Sequence, residues 1–97
     1  MIGVTHNFGR LFETLVYLDL RRHSFEEVYY YSTRSGKEVD FIAHGPDGRL
    51  HLIQACYDLQ EAETIQRKQS ALQEAEAELG IKGRLVTREN YLDFLRN

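Results

Sequence analysis

The stretch "GKEVDFIAHGPDGRLHLIQACYDL", residues 36–59, decides how the chain is read. A Gly/Pro/Asp cluster, "HGPDG", separates two apolar and β-branched runs at 37–43 and 49–57. Such a pattern predicts two strands joined by a turn. Yet each run holds a polar side chain at its centre. Asp40 stands between Val39 and Phe41, Gln54 stands between Ile53 and Ala55, and Cys56 follows two residues after Gln54. Residues two apart share a face of a strand. Glu38, Asp40 and Ile42 are therefore expected to look one way, and Val39, Phe41 and Ala43 the other. In the third strand Leu50, Leu52, Gln54 and Cys56 share one face, and His51, Ile53, Ala55 and Tyr57 share the opposite one. If the strands pair, Asp40 and Gln54 fall on the same side near the same end; the sequence leaves the register open.

Working outward, residues 7–22 read as a helix with Asn7 as N-cap. Phe8, Leu11, Phe12, Leu15 and Leu18 define its apolar face, and Arg21 and Arg22 close its last turn, where cations suit the helix dipole. Residues 26–33 are aromatic and β-branched and read as a strand, followed by the turn "RSGK". The three strands form an antiparallel meander. Residues 60–80 read as a second helix, with Ile65, Leu72 and Leu79 as its stripe, Ala62 and Ala75 widening it, and Gly80 or Gly83 as its stop. "GRLVT" reads as a fourth strand, and "RENYLDFLRN" as a terminal helix. The order α-β-β-β-α-β sets the fourth strand parallel to its neighbour through a helical crossover. The expected class is α/β (α+β), a central mixed sheet flanked by helices.

The chain has 97 residues, enough for one small domain. Its 42% hydrophobic and 28% charged residues are ordinary for a globular domain. The single cysteine excludes an internal disulfide and a multi-cysteine zinc site, and a reducing cytoplasm is expected. No apolar run approaches the ~20 residues that span a bilayer, and "MIGVTHNFGR" lacks a signal-peptide h-region. A net charge of −3 is not the footprint of a strong nucleic-acid binder, so DNA binding would need a local patch or a partner. No GxxxxGK[ST] occurs, which excludes a P-loop nucleotide site.

At about 100° per residue, Glu13 falls just beyond Leu20 on the rim of the first helix's apolar arc. It can look across at the sheet. Glu13, Asp40 and Gln54 would then make an oxygen-rich pocket of the kind magnesium or manganese prefers. The plainer reading makes Glu13 a solvated rim residue and gives Asp40 a partner among Lys37, Arg34 and Arg49. Cys56 alone reads as a small buried hydrophobe. His51 points away from it, and His6, His23 and His44 show no ligand spacing. The glutamates of the second helix form a solvated acidic face.

The pieces "GRLFET", "SGKEVDF" and "LIQACYDL" resemble the C-terminal domain, of unknown function, of a family of uncharacterised prokaryotic AAA-type ATPases. The resemblance runs from about Phe8 to Thr87. That domain is similar in fold to the PD-(D/E)XK nucleases. The resemblance implies one nuclease-like domain over 1–97, either the C-terminal part of a longer ATPase or a stand-alone remnant. It implies a metal-binding role for Glu13 and Asp40, with Gln54 at the (D/E) position and Cys56 where the lysine belongs. A cysteine supplies no positive charge to position water or offset developing negative charge. The site is therefore expected to be degenerate: a nucleic-acid or protein interaction module of an ATPase, holding magnesium or manganese weakly. Two alternatives stand beside it. One is an active metal-dependent DNA endonuclease whose cation arrives from elsewhere, with Arg67 and Lys68 on the second helix the first candidates and Lys37 on the wrong face. The other is a structural domain that packs on the ATPase or forms a homodimer.

Overall fold

The computed structural model describes residues 8–58 and 60–96; the expected N-cap, Asn7, lies outside them. Helix α1 (Phe8–Arg22) leads into strands β1 (Glu26–Ser32), β2 (Glu38–His44) and β3 (Leu50–Cys56). Helix α2 (Ala62–Leu79), strand β4 (Gly83–Thr87) and the short helix α3 (Tyr91–Arg96) follow. The sheet order is β1-β2-β3-β4, with β1, β2 and β3 antiparallel and β3–β4 parallel. The mixed α+β class and the parallel closing strand are as expected. Helix α2 stops at Gly80, whose φ of +70° is the left-handed cap conformation that glycine adopts without strain. Its N–H bonds back to Glu76 O at 2.8 Å.

Strand β3 is central, and the alternation of its side chains builds a core on either face. Ile53 and Ala55 pack with Phe12, Val16 and Leu20 of α1 and with Val86. Leu52 packs with Val39 and with Ala71, Leu72 and Ala75 of α2. Two expected faces are corrected. Helix α1 buries Phe12, Val16, Asp19 and Leu20, whereas Leu11, Leu15 and Leu18 are 55%, 49% and 48% exposed. The apolar arc of α1 is wider than the sheet can cover. The helix is rotated toward the side where buried Asp19 gains the Tyr91 hydroxyl and Arg22 as partners. Helix α2 buries Lys68, Ala71, Leu72 and Ala75, leaving Ala62 exposed and Ile65 and Leu79 half-buried.

The parity of β2 also departs from strict alternation. Val39 faces the α2 core while Phe41 packs on the α1 side. The pairing with β1 explains it. Tyr29 pairs with Ile42 and Tyr31 with Val39, so Asp40 and Phe41 together stand opposite Tyr30 alone. This is a β-bulge, which bends a strand and re-aims its side chains. The bulge falls at Asp40 and Phe41.

The turn between β1 and β2 is tied to α2. Glu78 accepts the Tyr31 hydroxyl at 2.8 Å and the Arg34 N–H at 2.9 Å. Glu74 accepts the Ser35 hydroxyl and N–H, with Lys37 Nζ 3.5 Å away. Lys37 is thereby held at the turn, where its Nζ also donates to Ser70 Oγ at 2.7 Å.

Candidate functional site

The pairing of β2 and β3 runs from His44/Leu50 to Phe41/Ile53. Continued by one step it would set Asp40 opposite Gln54. There the side chains take over from the backbone ladder. Gln54 Oε1 accepts the Asp40 N–H at 2.7 Å, and Asp40 Oδ2 accepts the Ala55 N–H at 2.8 Å. Two backbone donors at the splayed end of the hairpin, which would otherwise go unpaired, are thus satisfied.

The rest of the Gln54 side chain is equally committed. Its Nε2 donates to Glu38 O at 3.2 Å and to Lys68 O at 3.0 Å, and the residue is fully buried. Gln54 is a clamp that joins β2, β3 and α2. Its carboxamide is turned into the protein, not toward the cleft.

Asp40 and Glu13 have a different partner. Lys68, from the buried face of α2, brings its Nζ to 3.0 Å from Asp40 Oδ2 and 3.3 Å from Glu13 Oε2. The Lys68 side chain is 9% exposed, Asp40 19% and Glu13 39%. The structure therefore brings Glu13, Asp40 and Lys68 together from three elements. An ammonium this buried requires paired charge and hydrogen bonds, and the two carboxylates supply them. Formally the trio keeps one negative charge in excess.

Cys56 lies nearby but plays no ionic part. It is buried, its Sγ donates weakly to Asp58 O at 3.5 Å, and burial pushes its thiol pKa up, against the lowering effect of Lys68. A thiol held protonated is a poor nucleophile and a poor metal ligand.

Glu13 and Lys68 line a cleft of about 580 Å³, together with Arg10, Cys56, Tyr57 and Arg67 among others; Asp40 joins them through Lys68 and does not itself line the cleft. Two carboxylates meet a lysine there, but no cluster of three His, Cys, Asp or Glu side chains suited to a metal occurs among the described residues. For magnesium or manganese the residues fit in a reduced form. Glu13 and Asp40 each keep one carboxylate oxygen without a protein partner among the described residues, and magnesium commonly binds through one or two carboxylates plus waters. Gln54 does not fit as a ligand, because its oxygen is spent on the Asp40 N–H.

Lys68 is the residue that reading the second helix as a solvated acidic face underrated. The signal was present in the sequence. Ile65, Lys68, Leu72 and Ala75 follow 3-4-3 spacing, which sets a lysine in the middle of an apolar stripe. Arg67, its neighbour, stays exposed on the cleft wall.

Fold and site together define a small mixed α+β domain with a lysine-bridged acid pair at the splayed end of its sheet. The chain belongs to the family described as Domain of unknown function (DUF4143), which matches residues 8–95. It is 42% identical over 62 residues to the uncharacterized protein MJ1544 of Methanocaldococcus jannaschii. That alignment takes in 62% of this chain but spans only 14% of the length of that relative. No solved structure gives a significant match. No helix among the described residues is long and apolar enough to cross a membrane.

Proposed function

We propose that the domain binds nucleic-acid phosphodiesters in the Glu13–Asp40–Lys68 cleft and hydrolyses them slowly with the help of a divalent metal. One observation carries this reading: Lys68 Nζ bridges Asp40 and Glu13. The cation missing from position 56 is supplied from α2. A bound magnesium or manganese would polarise the phosphate and acidify an attacking water. Asp40 and Glu13 would hold it through their free oxygens. Lys68 would orient the water and offset the charge that develops on the phosphate. Arg10 on α1 and Arg67 on α2, which both line the cleft, would hold flanking phosphates. The metal would be held weakly, because two carboxylates shared with an ammonium offer little net charge.

A second reading keeps the domain as a degenerate, nuclease-like binding module. The burial of Gln54 favours it, since a third metal ligand is lost. Either way, the partner implied by resemblance is an AAA-type ATPase domain in cis or trans. The 14% share of the archaeal relative supports a module that works within a larger polypeptide.

Supercoiled plasmid with magnesium or manganese gives the test. The wild-type chain is expected to nick slowly, and Asp40→Ala to abolish nicking. Lys68→Met, which keeps the aliphatic stem, is expected to lower the rate about 10²–10³-fold, with circular dichroism confirming that it folds. Absence of metal-dependent nicking by the wild type would refute catalysis and leave the binding module.

A further inference from the structure

The cleft has a second kind of wall, which the lysine-bridged acid pair does not use. Phe8 and Tyr57 stand with ring centroids 5.9 Å apart and tilted by 37°, and Phe12 props Tyr57 edge-on at 5.6 Å. The Arg88 guanidinium lies 5.3 Å from the Tyr57 ring centre. Phe12 is 5% exposed and Phe8 is 44% exposed. The core is therefore closed by Phe12, and Phe8 presents its ring to the cleft instead of to the interior. The same cleft carries Arg10 on α1 and Arg67 on α2, neither of which enters an ion pair among the described residues.

We infer that this cleft receives an unpaired nucleic-acid strand, with one base stacked on the Phe8–Tyr57 wall and its adjoining phosphates at Arg10 and Arg67. This rests on the phosphodiester reading above and narrows its substrate class. An aromatic ring can stack only on a base that is out of the duplex, and stacking tolerates any base because each has a π-face. Long duplex contact is disfavoured by the rest of the surface. The chain carries a net charge of −3, and Asp58 and Glu61 flank the cleft, so few phosphates are neutralised. With about two phosphate contacts, a plot of log affinity against log salt for a single strand should be shallow, with a slope of roughly −1.4.

Fluorescence anisotropy in EDTA, with a labelled oligo-dT strand and a duplex of equal length, separates this inference from catalysis. The single strand is expected to bind at least tenfold more tightly than the duplex. Phe8→Ala, at an exposed position that the core does not need, is expected to weaken single-strand binding about tenfold and leave duplex binding unchanged. Tyr57→Leu should act in the same direction, with its fold checked by thermal melting. Arg67→Ala should weaken both ligands. Equal binding of the two ligands, or Phe8→Ala without effect while Arg67→Ala weakens binding, overturns the stacking inference and leaves the phosphodiester reading standing. Binding of neither ligand overturns the stacking inference, and binding of neither after magnesium replaces EDTA overturns the phosphodiester reading as well.

Discussion

Replacing Gln54 by Glu distinguishes a buried clamp from a ligand that faces the metal. By resemblance, Glu at this position should strengthen a metal cage. The geometry demands the opposite. Gln54 Nε2 donates to two backbone carbonyls, Glu38 O at 3.2 Å and Lys68 O at 3.0 Å, in a fully buried place. A carboxylate there turns an acceptor toward two acceptors. Losing two donated bonds and leaving two carbonyls facing a charge amounts to about 2–4 kcal/mol, counting ~1–3 for an unsatisfied buried polar group and the remainder for repulsion. In a domain of this size that lowers Tm by about 8–30 °C, at ~4–8 °C per kcal/mol. The loss should depend on pH. Burial and the two carbonyls raise the pKa of the introduced carboxyl in the folded state, so the folded state holds its proton more strongly than the unfolded chain. Stability is then greatest below the unfolded carboxyl pKa and falls as pH rises through the folded one. Thermal melts of wild type and Gln54→Glu at pH 5 and pH 8 would measure this, with and without magnesium. A Gln54→Glu protein as stable as wild type at pH 8, or one that magnesium stabilises far more than wild type, would refute the clamp.

Three further outcomes follow from neighbouring contacts. Glu74 is held down to about 2 from 4.5, chiefly by the Ser35 hydroxyl and then by Thr33 and the backbone. Its depressed pKa means that its contribution is present above pH 4.5 and lost as pH falls toward 2, so Glu74→Gln should flatten the acid limb of a pH–stability curve. Tyr91, pushed up to about 12 by burial and its bond to Asp19, should hold α3 on α1 below pH 10 and release it as pH rises through 12. Tyr91→Phe should lose about 1–2 kcal/mol in urea melts at neutral pH. Cys56, buried with a raised pKa, should resist a thiol reagent in the folded protein and react fully in urea; rapid labelling of the native chain would contradict its placement.

Periodicity along the chain was enough to mark every element to within a few residues, because strands and helices write their faces into local spacing. The turn "HGPDG", the crossover helix and the parallel β4 were legible for the same reason. Glu13 could also be placed on the rim of α1 by angle alone. Asp40 and Gln54 stood out as polar residues in apolar runs, but one sequence cannot say which way each points. Tertiary contacts decided that. A bulge opposite Tyr30 falls at Asp40, whose carboxylate meets Lys68, and the approach of α2 draws Gln54 inward onto the Lys68 carbonyl. The rotation of α1 likewise depended on Asp19 finding Tyr91, which is 72 residues away in sequence. Lys68 shows the boundary most clearly. Its spacing placed it on the buried face of α2, but only the meeting of α1, β2 and α2 supplied the two carboxylates that make a buried ammonium tolerable. Local spacing fixes which face a residue occupies, and long-range packing fixes what that face meets.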